Sequence, residues 1–114
     1  MKNKIVAKFV IFVFFLAFFS LTAYSQDHSW ASNYGKVERL YPSIDGTFFK
    51  VKGGETRINP ESGYFFIALD HPNYKALIDL LYKAAESRWT LYIRTEERLN
   101  AKGNAVVVYL VVDL

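Results

Sequence analysis

The sequence contains no cysteine. That single absence excludes a disulfide framework, a thiolate zinc site, a thiol nucleophile and a lipidated cysteine anchor. Histidine is scarce as well, with His28 and His71 the only two. Net basic charge is lacking too, despite a formal charge of +3. Lys2, Lys4 and Lys8 lie in the first eight residues, and the first acid is Asp27. From Gln26 onward eleven Lys and Arg face eleven Asp and Glu. A neutral body offers no electrostatic attraction to nucleic acid or to an anionic membrane.

What is present at the start is an address. Lys2, Lys4 and Lys8 make a positive flank, and Phe9 to Phe19 is an unbroken apolar run. Ala23 and Ser25 are small residues at −3 and −1 of a cut before Gln26. This is the anatomy of a secretory signal over residues 1–25. The alternative is an uncleaved membrane anchor stretched over Lys8 to Leu21, ranked second because the apolar run falls short of the about 20 residues a membrane span requires. The expectation is therefore an exported chain, periplasmic or secreted, with no membrane attachment after cleavage. Six of the ten Phe residues belong to this segment and say nothing about the mature fold.

Residues 26–35 are polar and small, and read as a flexible N-terminal arm carrying Trp30 and Tyr34. Residues 36–114 then read as one domain. Asp45-Gly46, Gly53-Gly54, Pro60 to Gly63 and Lys102-Gly103-Asn104 are turn signals. Between them lie strands at Lys36–Tyr41, Thr47–Lys52, Tyr64–Leu69, Trp89–Thr95 and Ala105–Val112. In the second, Thr47, Phe49 and Val51 share one face, and Phe48, Lys50 and Lys52 the other. In the fourth, Trp89, Leu91 and Ile93 point inward, with Thr90, Tyr92 and Arg94 outward. The third is apolar on both faces, and the β-branched run of the fifth predicts burial on both sides.

One segment has helical spacing. Tyr74, Leu77, Ile78, Leu81 and Ala85 fall on one face. Asp79 and Lys83 on the other face form an i,i+4 pair. Pro72 suits the first turn, Asp70, His71 or Asn73 supplies a cap, and the helix ends near Ser87. The fold class is thus mainly β, in the order β-β-β-α-β-β. Five strands with one helix between the third and fourth fit an OB-fold barrel, and closure removes exposed edges. A ferredoxin-like or cystatin-like layout needs an earlier helix, for which neither Pro42–Gly46 nor residues 26–35 is suited.

No catalytic constellation is legible, so no catalytic residue is assigned and the chain reads as a non-enzyme. His28 and His71 lack the further donors a metal site needs, and a capping or solvated role is expected for each. No metal or other cofactor is implied. Asp70 and His71 are chain neighbours whose side chains diverge on an extended backbone. Ser62 sits before Gly63 in a turn, outside any Gly-x-Ser-x-Gly elbow. Glu96 and Glu97 are adjacent, unlike a glycosidase pair separated across a cleft. Gly53-Gly54 lacks the Lys-Ser or Lys-Thr of a phosphate loop. A hydrolase therefore ranks last among the readings. Phe48, Lys50, Lys52, Tyr92 and Arg94 could line a nucleic-acid groove, but the neutral charge speaks against that partner. Phe48, Tyr92, Tyr64 and Phe66 are instead candidate interface residues, since aromatics are enriched where proteins meet. The ligand-binding residues are unknown from sequence.

Four stretches carry a family resemblance: Lys36-Val-Glu-Arg-Leu-Tyr, Ile44-Asp-Gly-Thr-Phe-Phe, Gly63-Tyr-Phe-Phe-Ile-Ala-Leu, and Pro72 through Ala85. Together they resemble exported B subunits of AB-type toxins, especially that of subtilase cytotoxin, over most of Lys36–Asp113. The resemblance implies an OB barrel, assembly into a homo-oligomeric ring, and binding of cell-surface glycans. Those subunits commonly carry a disulfide, which this chain lacks, and no glycan-binding residue carries over. The expected function is binding or assembly, with a glycan as ligand because sugar rings pack on aromatic faces without requiring charge. The alternative is an adaptor that docks on another envelope protein.

Overall fold

The computed structural model describes residues 30–114. The signal segment expected at residues 1–25 and residues 26–29 of the expected arm, with His28, lie outside the described residues. The elements are β1 (Trp30–Pro42), β2 (Gly46–Lys52), β3 (Phe65–Ala68), α1 (Tyr74–Ser87), β4 (Leu91–Glu96) and β5 (Ala105–Val111). The order matches the mainly β pattern of five strands with one helix.

The arm is the main correction. From Trp30 to Gly35 it is strand, paired antiparallel with β4 from Trp30↔Glu96 to Gly35↔Leu91. The second half of β1 pairs with β2, from Lys36↔Lys52 to Pro42↔Thr47. Glu38 is skipped in that register, a bulge that bends the strand as it passes from one partner to the other. β2 continues antiparallel to β3, β3 runs parallel to β5, and β5 is antiparallel to β4. The pairing order β1-β2-β3-β5-β4 therefore returns to β1 and the cycle closes. Pairing all five strands in one cycle reduces the free edge that a small sheet would otherwise present, although β3 and β5 meet over only two residue pairs.

The inward faces follow the two-residue period. Thr47 and Phe49 from β2, Phe65 and Ile67 from β3, and Leu91, Ile93 and Thr95 from β4 are all buried. Phe49 stacks on Phe65 with ring centroids 5.4 Å apart. β5 departs from the expected burial on both sides. Its register skips Val108, so Ala105, Val107 and Leu110 turn inward while Tyr109 and Val111 are exposed. Only one face of the β-branched run is core; the other belongs to the outer surface.

α1 lays Leu77, Leu81 and Ala84 against this core, with Tyr74 and Ile78 partly buried. The hydroxyls of Tyr74 and Thr47 share a hydrogen bond of 2.9 Å, which satisfies a polar group inside the sheet. Asp79 pairs with Lys75 at 3.2 Å rather than with Lys83, an exposed contact of little energetic weight. Pro72 stands just before the N-cap Asn73, whose side chain makes no capping bond. His71 supplies it instead. Its Nδ1 accepts the Asn73 backbone N–H at 3.0 Å, so Nε2 carries the proton and donates to the Val108 carbonyl at 2.8 Å. The β3–β5 ladder has only two residue pairs, and His71 bridges the chains just beyond it.

The helix stops where expected, because Arg88 turns left-handed at φ 57 and the Trp89 N–H closes on the Ala84 carbonyl at 3.0 Å. A side chain in that region is strained, and glycine is not. Arg88→Gly is accordingly expected to stabilise the chain by about 0.5–1 kcal/mol in urea unfolding. A loss of stability would contradict this account of the helix end.

Candidate functional site

The outward faces of β1, β4 and β5 carry large aromatic residues that stay partly exposed. Tyr34 and Tyr92 are directly opposed across β1 and β4, with ring centroids 5.7 Å apart. Arg94 faces Tyr109 across β4 and β5, its guanidinium 5.6 Å from the ring centroid. Trp30 meets the edge of Tyr109 at 5.9 Å. Tyr34, Tyr92 and Tyr109 remain 37%, 41% and 36% exposed. They line a cleft of about 640 Å³, within the size range of small-ligand sites.

One wall of this cleft is the segment Glu55–Arg57. It is fastened to β1 through backbone and side chain together. The Tyr34 N–H donates to the Glu55 carbonyl at 2.8 Å, and Thr56 bridges to Asn33. A Cβ at Gly54 would collide with the Tyr34 carbonyl oxygen, so glycine permits this close approach. The main clamp is Asn33, which is buried. Its Oδ1 accepts the backbone N–H of Arg57 at 2.7 Å and of Ile58 at 3.1 Å. Its Nδ2 donates to the Ile93 carbonyl and to Thr95 Oγ1, each at 3.3 Å. The amide is fully used, and it ties the wall to both strands of the floor.

The rim carries both charges: Arg57 and Arg94 against Glu55 and Asp113. Ser32 and Thr56 add hydroxyls. The cleft therefore presents aromatic faces, neutral donors and acceptors, and balanced charge. Such a lining can pack on a ring with an apolar face and hydrogen-bond its polar edge.

The candidate interface residues separate into two places. Phe48, Tyr64 and Phe66 gather on the outer faces of β2 and β3, joined there by Tyr41. Tyr41 stacks on Phe48 at 5.0 Å, Tyr64 meets Tyr41 edge-on at 5.3 Å, and Phe48 and Phe66 lie 4.7 Å apart. The Lys50 ammonium sits 4.6 Å from the Tyr64 ring centroid. Tyr92 is not part of this cluster; it belongs to the cleft with Tyr34. The four residues thus form no single patch.

The other candidates have structural partners. The Ser62 hydroxyl donates to Asn104 Oδ1 at 2.6 Å and accepts the Tyr64 N–H at 3.1 Å, a turn role. Both ring nitrogens of His71 are engaged as described. Glu96 and Glu97 are exposed. Among the described residues no group of three or more His, Cys, Asp or Glu could hold a metal ion. Among the same residues no helix is long and apolar enough to cross a membrane.

Sequence reasoning missed Asn33, Tyr34 and Tyr109 as members of one site. The available signal was the alternation of Ala31, Asn33 and Gly35 with Ser32 and Tyr34, which is strand-like but inverted in size. No protein-family model, curated protein or solved structure matches the chain.

Proposed function

We propose that this chain is an exported, non-enzymatic carbohydrate-binding protein on an OB-type barrel, with the Tyr34–Tyr92–Tyr109 cleft as its sugar site. The closed order β1-β2-β3-β5-β4, with α1 between β3 and β4, supports the OB reading. So does the likeness to the B subunits of subtilase-type toxins. The observation that carries the ligand is the set of three exposed tyrosines lining one cleft whose rim charges balance. Aromatic faces without net charge suit a hydroxyl-rich, uncharged ring better than a polyanion. The reading includes association of copies into a ring, as the toxin likeness implies, and assigns no surface to it.

A glycan array probed with residues 26–114 tests this function. Binding to a defined set of glycans is expected, and Tyr92→Ala should weaken it about tenfold. Because Tyr92 projects from the surface, its thermal unfolding should barely move. A blank array, or unchanged binding by Tyr92→Ala, overturns the proposal. A blank array together with capture of one envelope protein would establish the adaptor instead. Light scattering on the same chain checks assembly: a ring scatters as several copies, and a strict monomer refutes it.

A further inference from the structure

A second concavity lies on the outer face of β2 and β3 and shares no lining residue with the cleft. Phe48 and Phe66 are directly opposed across the two strands and line it, their rings tilted by 31°. The β1–β2 turn contributes Asp45, and the β4–β5 loop contributes Asn100, Lys102 and Asn104. The volume is about 310 Å³, at the small end for a ligand site and suited to one ring.

The loop side is held in place. Asn100 Oδ1 accepts the backbone N–H groups of Lys102 and Asn104 at 3.0 and 2.9 Å. Asn104 is only 4% exposed, and its Oδ1 is committed to the Ser62 hydroxyl. Among the described residues its amide nitrogen has no hydrogen-bond partner. Among the described residues no fully buried side-chain nitrogen or oxygen lacks a partner. That nitrogen is therefore not fully buried, and Asn104 is one of the residues that line the concavity. The Ser62 bond fixes the Asn104 side chain and leaves its amide nitrogen as a donor for a ligand. At its mouth the Asp45 carboxylate and the Lys102 ammonium stand 3.9 Å apart, an acceptor beside a donor.

We propose that this concavity is a second, independent binding site for a single uncharged saccharide ring. The apolar face of the ring packs on Phe48 and Phe66. A ring hydroxyl accepts from the Asn104 amide, and a neighbouring hydroxyl donates to Asp45 while accepting from Lys102. A purely apolar ligand would strip water from the Asn104 amide and replace it with nothing, an unfavourable exchange. An ionic ligand gains little, because Asp45 and Lys102 cancel.

Amide NMR titration of residues 26–114 with the methyl glycosides of glucose, galactose, mannose and N-acetylglucosamine tests this site. At least one sugar should shift the Asn100 and Asn104 side-chain amides and the Gly103 backbone amide saturably. Phe66→Ala and the exposed Lys102→Ala should each weaken that response about tenfold, while Tyr92→Ala leaves it intact. Lys102→Ala reports even if Phe66→Ala fails to fold. Silence of these amides with all four sugars overturns the site. So do shifts confined to the Tyr34–Tyr92 cleft, which leave the first proposal standing. Shifts with uridine but no sugar would also refute it, as would shifts that track protein concentration alone.

Discussion

Asn33→Ala is expected to cost about 3–5 kcal/mol of stability and to release the wall of the cleft. The substitution removes one acceptor used twice and one donor group used twice. It strands the buried Ile58 N–H and deprives the Thr95 hydroxyl and the Ile93 carbonyl of one donor each. Each buried polar group left unpaired costs about 1–3 kcal/mol, and water entering the vacated space offsets part of the sum. Against a total stability of about 5–15 kcal/mol, this is severe. Urea unfolding measures the loss, and hydrogen exchange at the Arg57 and Ile58 amides locates it. A cost below about 1 kcal/mol, or unchanged protection of those amides, would contradict the clamp.

Phe49→Ala should be comparably damaging, at about 3–5 kcal/mol. Phe49 has 0% exposure, and its ring fills the space between β2 and the stacked Phe65. Removing it deletes buried apolar area and leaves a cavity that the closed sheet cannot collapse to fill. Its chain neighbour Phe48 points outward, so Phe48→Ala should cost less than half as much. Equal losses at the two positions would mean that the inward and outward faces of β2 are wrongly assigned.

The contrast between those neighbours was legible in the sequence, because Thr47 to Lys52 alternates cleanly. The same holds for Leu91 and Ile93 against Tyr92, and for the helical spacing of Tyr74, Leu77, Ile78 and Leu81. The first half of β1 was not legible. Its inward positions are Ala31, Asn33 and Gly35, small or polar, where an ordinary strand places large apolar residues. Local contacts require this: a Cβ on Gly35 would press on Val51 at 2.9 Å, and Asn33 must receive the Arg57 and Ile58 amides. Composition there imitates a loop while register makes a strand. The bulges at Glu38 and Val108 add a second obstacle, since each shifts the two-residue period and moves later side chains to the other face.

The cleft was illegible for a different reason. Tyr34, Tyr92 and Tyr109 lie far apart in the chain, and only the β1–β4–β5 register brings them together. No local pattern announces such a meeting. By contrast Phe48 and Phe66 come from consecutive strands and are opposed by a simple antiparallel pairing, with Tyr64 just before β3.

A crystal structure of residues 26–114 soaked with a glycan from the array addresses the central claim most directly. The account predicts a sugar ring packed against Tyr34, Tyr92 and Tyr109 beside the Asn33-anchored wall. A ring found elsewhere with that cleft vacant would contradict it.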